Sequence, residues 1–200
     1  MRDDARPDGR TYATAMIGAL ARLRVALGWV VGVLVIVLAH PTSGTIAAGM
    51  SIAACGEALR VWAAGHLNKA REVTSSGPYR WLGHPLYVGS SIMGVGLAIA
   101  CANVPVAMLI AVYLATTLTA AIKSEEAYLR RAFGDQYGLY KQGLAAKRAR
   151  PGAAARGFSR RQAIANREHR AIAGLMVAIL LLWLKATYNG LFWRTGAGHQ

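Results

Sequence analysis

A chain of 200 residues allows one domain or one compact membrane unit, and this one is 54% hydrophobic while carrying a formal net charge of +14. Those values conflict for a soluble domain unless charged and apolar residues are segregated. They are: long apolar blocks alternate with short basic ones, the pattern of a polytopic membrane protein, and with no zinc-ligand spacing or RNA-binding signature a nucleic-acid partner is set aside.

The two cysteines, Cys55 and Cys101, both fall inside apolar blocks. They read as small buried apolar residues, and two thiols alone make neither a disulfide framework nor a structural zinc site. No cleavable signal peptide is expected, because the first apolar run follows a polar segment and ends at His40-Pro-Thr-Ser-Gly44 rather than at a small-residue cleavage site.

Taken in order, residues 1–22 form a polar N-terminal segment and residues 23–200 a single integral membrane domain. The first predicted span, 23–39, is slightly short of the roughly 20 residues a bilayer asks for, but Arg22 and Arg24 can snorkel to extend it. The second span, 45–64, carries Glu57 and Arg60 in its later half, and a polar connection over 65–85 follows. Spans 86–101 and 104–122 are separated by only Ala102 and Asn103, which predicts a tight antiparallel helical hairpin. Gly89, Ser90, Gly94, Gly96 and Ala98 would let a neighbouring backbone approach the third span closely.

From 123 to about 140 the chain turns polar yet still reads as helix, with Glu125, Leu129, Phe133 and Tyr137 on one face and Gly134-Asp135 as a break. Residues 143–170 are rich in Arg, Ala, Gly and Lys, with Ser159 and Asn166 as candidate helix caps. The fifth span is 171–187, and Trp193 in the tail is an interfacial aromatic. The fold class is therefore all-α: a polytopic bundle of about five transmembrane helices with a helical polar segment before the last span.

Charge sets the orientation. Of 23 Lys and Arg, five lie in residues 1–24, three in 65–85 and twelve in 123–170, while the short links on the opposite side carry none. Five spans with the N-terminus in the cytoplasm put all three basic segments, 65–85 and 123–170 among them, on the cytosolic side of the cell membrane.

That topology brings His84, Tyr79, Tyr87 and Arg80 to the same face as Glu125 and Glu126. The two glutamates are adjacent on a helix, so they point about 100° apart, and one can face a pocket while the other meets water or a basic loop. Each residue also has a plainer account. His84 before Pro85 suits a helix start, the tyrosines and Trp81 suit an aromatic belt, and Glu126 is an i,i+4 neighbour of Arg130. Glu57 divides equally between an i,i+3 pair with Arg60 and a pocket role.

Two strings, Gly77-Pro-Tyr-Arg…His84-Pro-Leu-Tyr-Val-Gly89 and, after an apolar hairpin, Glu125-Glu126-x-x-Leu129…Phe133-Gly134-x-x-Tyr137-x-x-Tyr140, together resemble the isoprenylcysteine carboxyl methyltransferase family, to which phospholipid N-methyltransferases are related. The resemblance covers roughly residues 55–142. It implies a membrane enzyme that uses S-adenosyl-L-methionine without a Rossmann fold, in a pocket at the cytosolic face covered by the C-terminal polar segment. The absence of a Gly-x-Gly-x-x-Gly string agrees with that. By motif position the cofactor contacts implied are Arg71, Glu72, Val73 and Thr74, then Tyr79, His84, Pro85, Leu86 and Tyr87, and finally Glu125.

The chemistry implied is attack of an acceptor nucleophile on the sulfonium methyl, for which the protein supplies alignment and exclusion of water. A carboxylate acceptor needs no base, whereas an amine does, and His84 and Glu126 are the candidates, with Arg80 a further catalytic candidate. The partners implied are the lipid bilayer and a lipidic or small-molecule acceptor, with no obligate protein partner. Where the family commonly has arginine before His-Pro this chain has Gly83, which opens the question of the acceptor. Two rivals stand beside this reading: an NADPH-dependent membrane reductase of the sterol-reductase type, which resembles the family over the same C-terminal motif, and an inactive membrane scaffold.

Overall fold

The computed structural model describes residues 26–68, 74–141 and 157–196, and among these the chain is helical with no strand. The elements are α1 (Ala26–Leu38), α2 (Ser43–His66), a 3-10 turn (Gly77–Arg80), α3 (Pro85–Cys101), α4 (Val104–Lys141), α5 (Arg160–Ala165) and α6 (Glu168–Gly196). The predicted polar segment 1–22, the first half of 143–170 as far as residue 156, and Trp193's side chain lie outside the described residues.

Local chemistry accounts for the boundaries. A reciprocal capping box starts α2: the Thr45 amide donates to Thr42 Oγ1 at 3.2 Å and the Thr42 amide to Thr45 Oγ1 at 2.9 Å. Pro85 occupies the first turn of α3, where its missing N–H costs nothing. The predicted hairpin closes through Ala102 in the left-handed region (φ 48°) and Asn103, whose Oδ1 accepts from the Val106 amide at 3.2 Å.

The polar stretch from 123 is helical as expected, and it continues the fourth span without interruption as α4, because nothing between Ile122 and Phe133 breaks a helix. The expected break falls at Gly134 (φ 43°, ψ −117°). The last helix starts three residues before the predicted 171, with Glu168 in its first turn, where a carboxylate complements the helix dipole.

Helices α2 and α3 pack backbone to backbone. A Cβ on Gly56 would stand 2.6 Å from the Gly89 carbonyl oxygen, and one on Gly96 would stand 2.5 Å from the Gly49 carbonyl oxygen and the Ala53 amide. The small residues recur every seven positions on both helices, so one seam forms along their length. Gly94 faces Leu114 of α4 instead, and Ser90 accepts from Arg60 Nη1 of α2.

The outer surface is apolar. Trp29 is 75% exposed, Met108 64% and Met176 61%, while the buried core is thin and built from residues such as Ala39, Ile46, Cys101, Val106 and Leu182. Exposed apolar faces of that extent suit lipid rather than water. Hydroxyls on these helices bond back to their own backbone: Ser51 to the Ala47 carbonyl at 2.9 Å, Thr116 to Val112 at 2.8 Å and Thr187 to Trp183 at 2.9 Å. Three helices, Ser43–His66, Val104–Asp135 and Glu168–Asn189, are long and apolar enough to cross a membrane, and Ala26–Leu38 and Pro85–Cys101 are shorter apolar helices.

The two ends of the bundle differ. At the end holding the α3–α4 hairpin, the last carbonyls of α1 are capped from afar: Lys185 Nζ donates to Ile36 and Val37 at 2.8 and 2.5 Å, and Asn103 Nδ2 to Leu38 at 2.9 Å. A cation at a helix C-terminus meets both the free carbonyls and the dipole. At the other end, α5 closes α2. Gln162 Nε2 donates to the Leu67 carbonyl and Asn166 Nδ2 to those of Ala64 and Leu67, each at 2.8 Å. Ser159 and Asn166 are the N- and C-caps of α5, as their residue types predict.

Candidate functional site

The loop that carries the Gly-Pro-Tyr-Arg string is fastened to the C-terminal turn of α2. Gly77 has φ 56° and a Cβ there would lie 2.6 Å from the His66 ring, so both its conformation and its contact demand glycine. Pro78 is fully buried, Tyr79 is buried, and Trp81 leans on Trp62 with ring centroids 6.2 Å apart. This seating delivers His84 to the start of α3, where it is the N-cap residue but makes no side-chain cap bond. Its ring is thereby left to face α4.

There the two adjacent glutamates meet it. Glu125 Oε2 lies 3.8 Å from His84 Nδ1, and Glu126 Oε1 lies 3.6 Å from Nε2. Their divergence on the helix lets one carboxylate face a pocket while the other meets water or a basic group; in the structure the imidazole, with a nitrogen on each edge, takes one carboxylate on each. Glu126 also reaches Arg130 Nη2 at 3.7 Å, the predicted i,i+4 pair. These are ion-pair distances, longer than direct hydrogen bonds. The His84 and Glu126 side chains are about four-fifths buried and Glu125 is more exposed, so two partly desolvated carboxylates against one imidazole leave local negative charge that favours a cationic ligand.

A cleft of about 630 Å³ opens beside this group between α3 and α4, with Gly83, His84 and Tyr87 at its polar end and Val95, Ile110, Leu114 and Ile122 among its apolar walls. The His84 and Tyr87 ring centroids are 5.7 Å apart. That volume lies within the range of small-molecule sites. The residue types suit S-adenosylmethionine: the cleft wall offers a tyrosine ring and apolar side chains for adenine, and the Glu125 and Glu126 carboxylates, which stand beside the cleft rather than in its wall, suit cationic groups and ribose hydroxyls.

Of the predicted site residues, the structure brings His84, Tyr87, Glu125 and Glu126 together. Leu86 is half-buried in the first turn of α3, and its carbonyl accepts from the Ser90 hydroxyl at 2.9 Å. Pro85 is fully buried and acts as a helix start. Thr74 is buried at the α2 end of the loop, its hydroxyl accepting from the Asn68 amide at 3.3 Å. Tyr79 is in the 3-10 turn and Arg80 is exposed at its end. Arg71, Glu72 and Val73 lie outside the described residues. A Cβ on Gly83 would meet nothing within 4 Å.

One group was not legible in the sequence. Arg60 Nε lies 3.4 Å from Glu57 Oε2 and 2.8 Å from Glu168 Oε1, as ion pairs rather than aligned hydrogen bonds, and Nη1 donates to Ser90. The i,i+3 pair was foreseen. Glu168, an acid at the head of an apolar run in an otherwise basic stretch, was the available signal for the third member.

Helices with apolar outer faces, with a cluster of ionisable residues and an open cleft at one end of the bundle, define an integral membrane protein. The family model for phospholipid methyltransferases matches residues 27–136, more than half of the chain. The chain belongs to that family, whose character is that of membrane methyltransferases. It is also 33% identical over 87 residues to the nickel-cobalt-cadmium resistance protein NccN of Alcaligenes xylosoxydans xylosoxydans, covering 42% of this chain and 39% of that protein. The chain thus spans well under half the length of that curated relative. No solved structure matches it.

Proposed function

We propose that this protein transfers a methyl group from S-adenosyl-L-methionine to a lipid-borne acceptor at the cytosolic surface of the cell membrane. The observation that carries the reading is His84 bracketed by Glu125 and Glu126 at the polar end of an open cleft, in a member of the phospholipid methyltransferase family. When bound, S-adenosylmethionine supplies a methyl group already activated by its sulfonium. The carboxylates of Glu125 and Glu126 hold positive charge at the cleft mouth, and Tyr87 with the apolar walls of α3 and α4 excludes water. His84 Nδ1 or Nε2, each within 4 Å of a carboxylate, accepts the proton that an amine acceptor must lose, and the neighbouring carboxylate stabilises the imidazolium. Residues 71–74 remain the family-implied partners for the rest of the cofactor. The cytosolic orientation rests on the distribution of Lys and Arg.

Binding of S-adenosylmethionine, S-adenosylhomocysteine and NADPH to protein purified in detergent tests the reading. The first two bind and NADPH does not. Glu125→Gln and His84→Ala weaken S-adenosylmethionine binding by about tenfold, corresponding to roughly 1.4 kcal/mol. Binding of NADPH alone, or of no nucleotide, overturns the methyltransferase assignment, and full cofactor affinity in both variants overturns the site. Incubation of membranes with methyl-labelled cofactor, followed by lipid extraction, then identifies the acceptor.

A further inference from the structure

The short helix α5 has two unlike faces. Gln162 and Asn166 turn inward to cap the end of α2, and Ala163 between them is buried. At about 100° per residue, Arg160, Ile164, Arg161 and Ala165 follow one another around the opposite side. All four are exposed, Ile164 at 63%. Arg167, at the junction with α6, and Arg170, in its first turn, are exposed as well.

The acid of this region looks the other way. Glu168 is the only Asp or Glu in residues 136–200, and it is buried against Arg60 of α2. Among the described residues none of the four outward guanidinium groups pairs with a carboxylate. The surface is thus cationic with an isoleucine set among the arginines.

Its neighbours fix its height in the bilayer. Rings run from Trp81 through Trp62 and His66 to Phe158 around the end of α2, with successive centroids 6.2, 6.3 and 6.2 Å apart. Trp62, Trp81 and Phe158 are exposed, as aromatic side chains are at the boundary between hydrocarbon and water. Phe158 directly precedes the Ser159 cap of α5, and two residues after α5 the membrane-type helix α6 begins. The arginines therefore stand at the level of lipid headgroups, where Ile164 and Phe158 can reach the first acyl carbons. A zwitterionic headgroup offsets its phosphate with its own ammonium. An anionic headgroup does not, so charge complementarity selects it.

We propose that the outer face of α5, with Arg167 and Arg170, is a docking surface for anionic phospholipid headgroups in the leaflet at this end of the bundle. Because the inner face of the same helix caps α2, bound lipid holds α5 on α2 and on the His66 ring against which Gly77 is seated. Neither step depends on the methyl-transfer reading.

The test is hydrogen exchange, read by mass spectrometry on peptides from 159–170, for the full chain in nanodiscs of dioleoylphosphatidylcholine with or without dioleoylphosphatidylglycerol. One arginine near an anionic surface is worth roughly a fivefold factor, so phosphatidylglycerol slows exchange of the α5 amides by about tenfold or more. In about 1 M salt, where the screening length shrinks to roughly 3 Å, the slowing disappears. Combining Arg160→Gln, Arg161→Gln, Arg167→Gln and Arg170→Gln abolishes it, while the melting temperature in phosphatidylcholine discs stays that of the wild type. Ile164→Glu, which sets a carboxylate between Arg160 and Arg161, cuts the slowing about fivefold and decides the matter if the fourfold variant does not fold. Equal exchange in both discs, slowing that survives salt or the folded variants, or the same slowing by inorganic phosphate in neutral discs overturns the proposal. Slowing that tracks the number of chains per disc makes a second copy the occupant and overturns it as well.

Discussion

Replacing Gly56 by alanine puts one methyl group into the seam between α2 and α3. Its Cβ would stand 2.6 Å from both the Gly89 carbonyl oxygen and the Met93 amide, whereas ordinary contact begins at 3.4 Å. Both neighbours are backbone atoms and cannot rotate away, so the two helices must part by roughly 0.8 Å, an overpacking that costs about 1–3 kcal/mol. Gly89 lies five residues from His84, so the strain is delivered to the first turn of α3, where the ring meets Glu125 and Glu126. We expect a lower melting temperature in detergent and, because a shift of about 1 Å costs on the order of 100-fold in a positioned site, methyl transfer reduced by about 10- to 100-fold. Gly174→Ala on α6 is the control, since a Cβ there meets nothing within 4 Å and its melting temperature should not fall. Differential scanning fluorimetry on both proteins decides it. A Gly56→Ala protein that melts with the wild type would refute the close-packed seam.

Lys185→Met uncovers the Ile36 and Val37 carbonyls at the end of α1 and should destabilise the protein by about 1–3 kcal/mol, read as a lowered melting temperature. Gly77→Ala faces both a left-handed backbone and the His66 ring, so it should cost more than the roughly 1–2 kcal/mol of the conformation alone and release the loop to limited proteolysis. Gly83→Arg, by contrast, introduces a side chain into open space without a left-handed φ; its melting temperature should match the wild type while its binding of charged ligands at the cleft mouth changes.

Much of this architecture is written locally. The apolar blocks, the two-residue link at Ala102-Asn103, His84 ahead of Pro85 and the caps at Ser159 and Asn166 each depend on neighbours in sequence, so periodicity and turn chemistry disclose them. The His84–Glu125 pairing spans a hairpin, yet the hairpin's short link makes the meeting predictable. That both glutamates reach the same ring was not, because it depends on the width of an imidazole rather than on helical geometry alone. Nor did the sequence show which small residues face which neighbour: Gly89 and Gly96 meet α2, whereas Gly94 meets Leu114. Arg60 and Glu168 are separated by more than a hundred residues, and only the packing of α6 on α2 reveals their pairing.

The capping of α1 has a consequence for how the chain is assembled. Its terminal carbonyls wait for Asn103, 65 residues later, and for Lys185, almost 150 residues later. A helix that precedes α6 by more than a hundred residues is thus completed only when α6 arrives. Until then that end of α1 is held by Asn103 and by the His40 amide on the Cys101 carbonyl, and the apolar groove that α1 and α6 help to wall is incomplete. Synthesis halted before α6 should leave a chain that is inserted but not fully assembled, with the Ile36 and Val37 carbonyls of α1 still uncapped by Lys185.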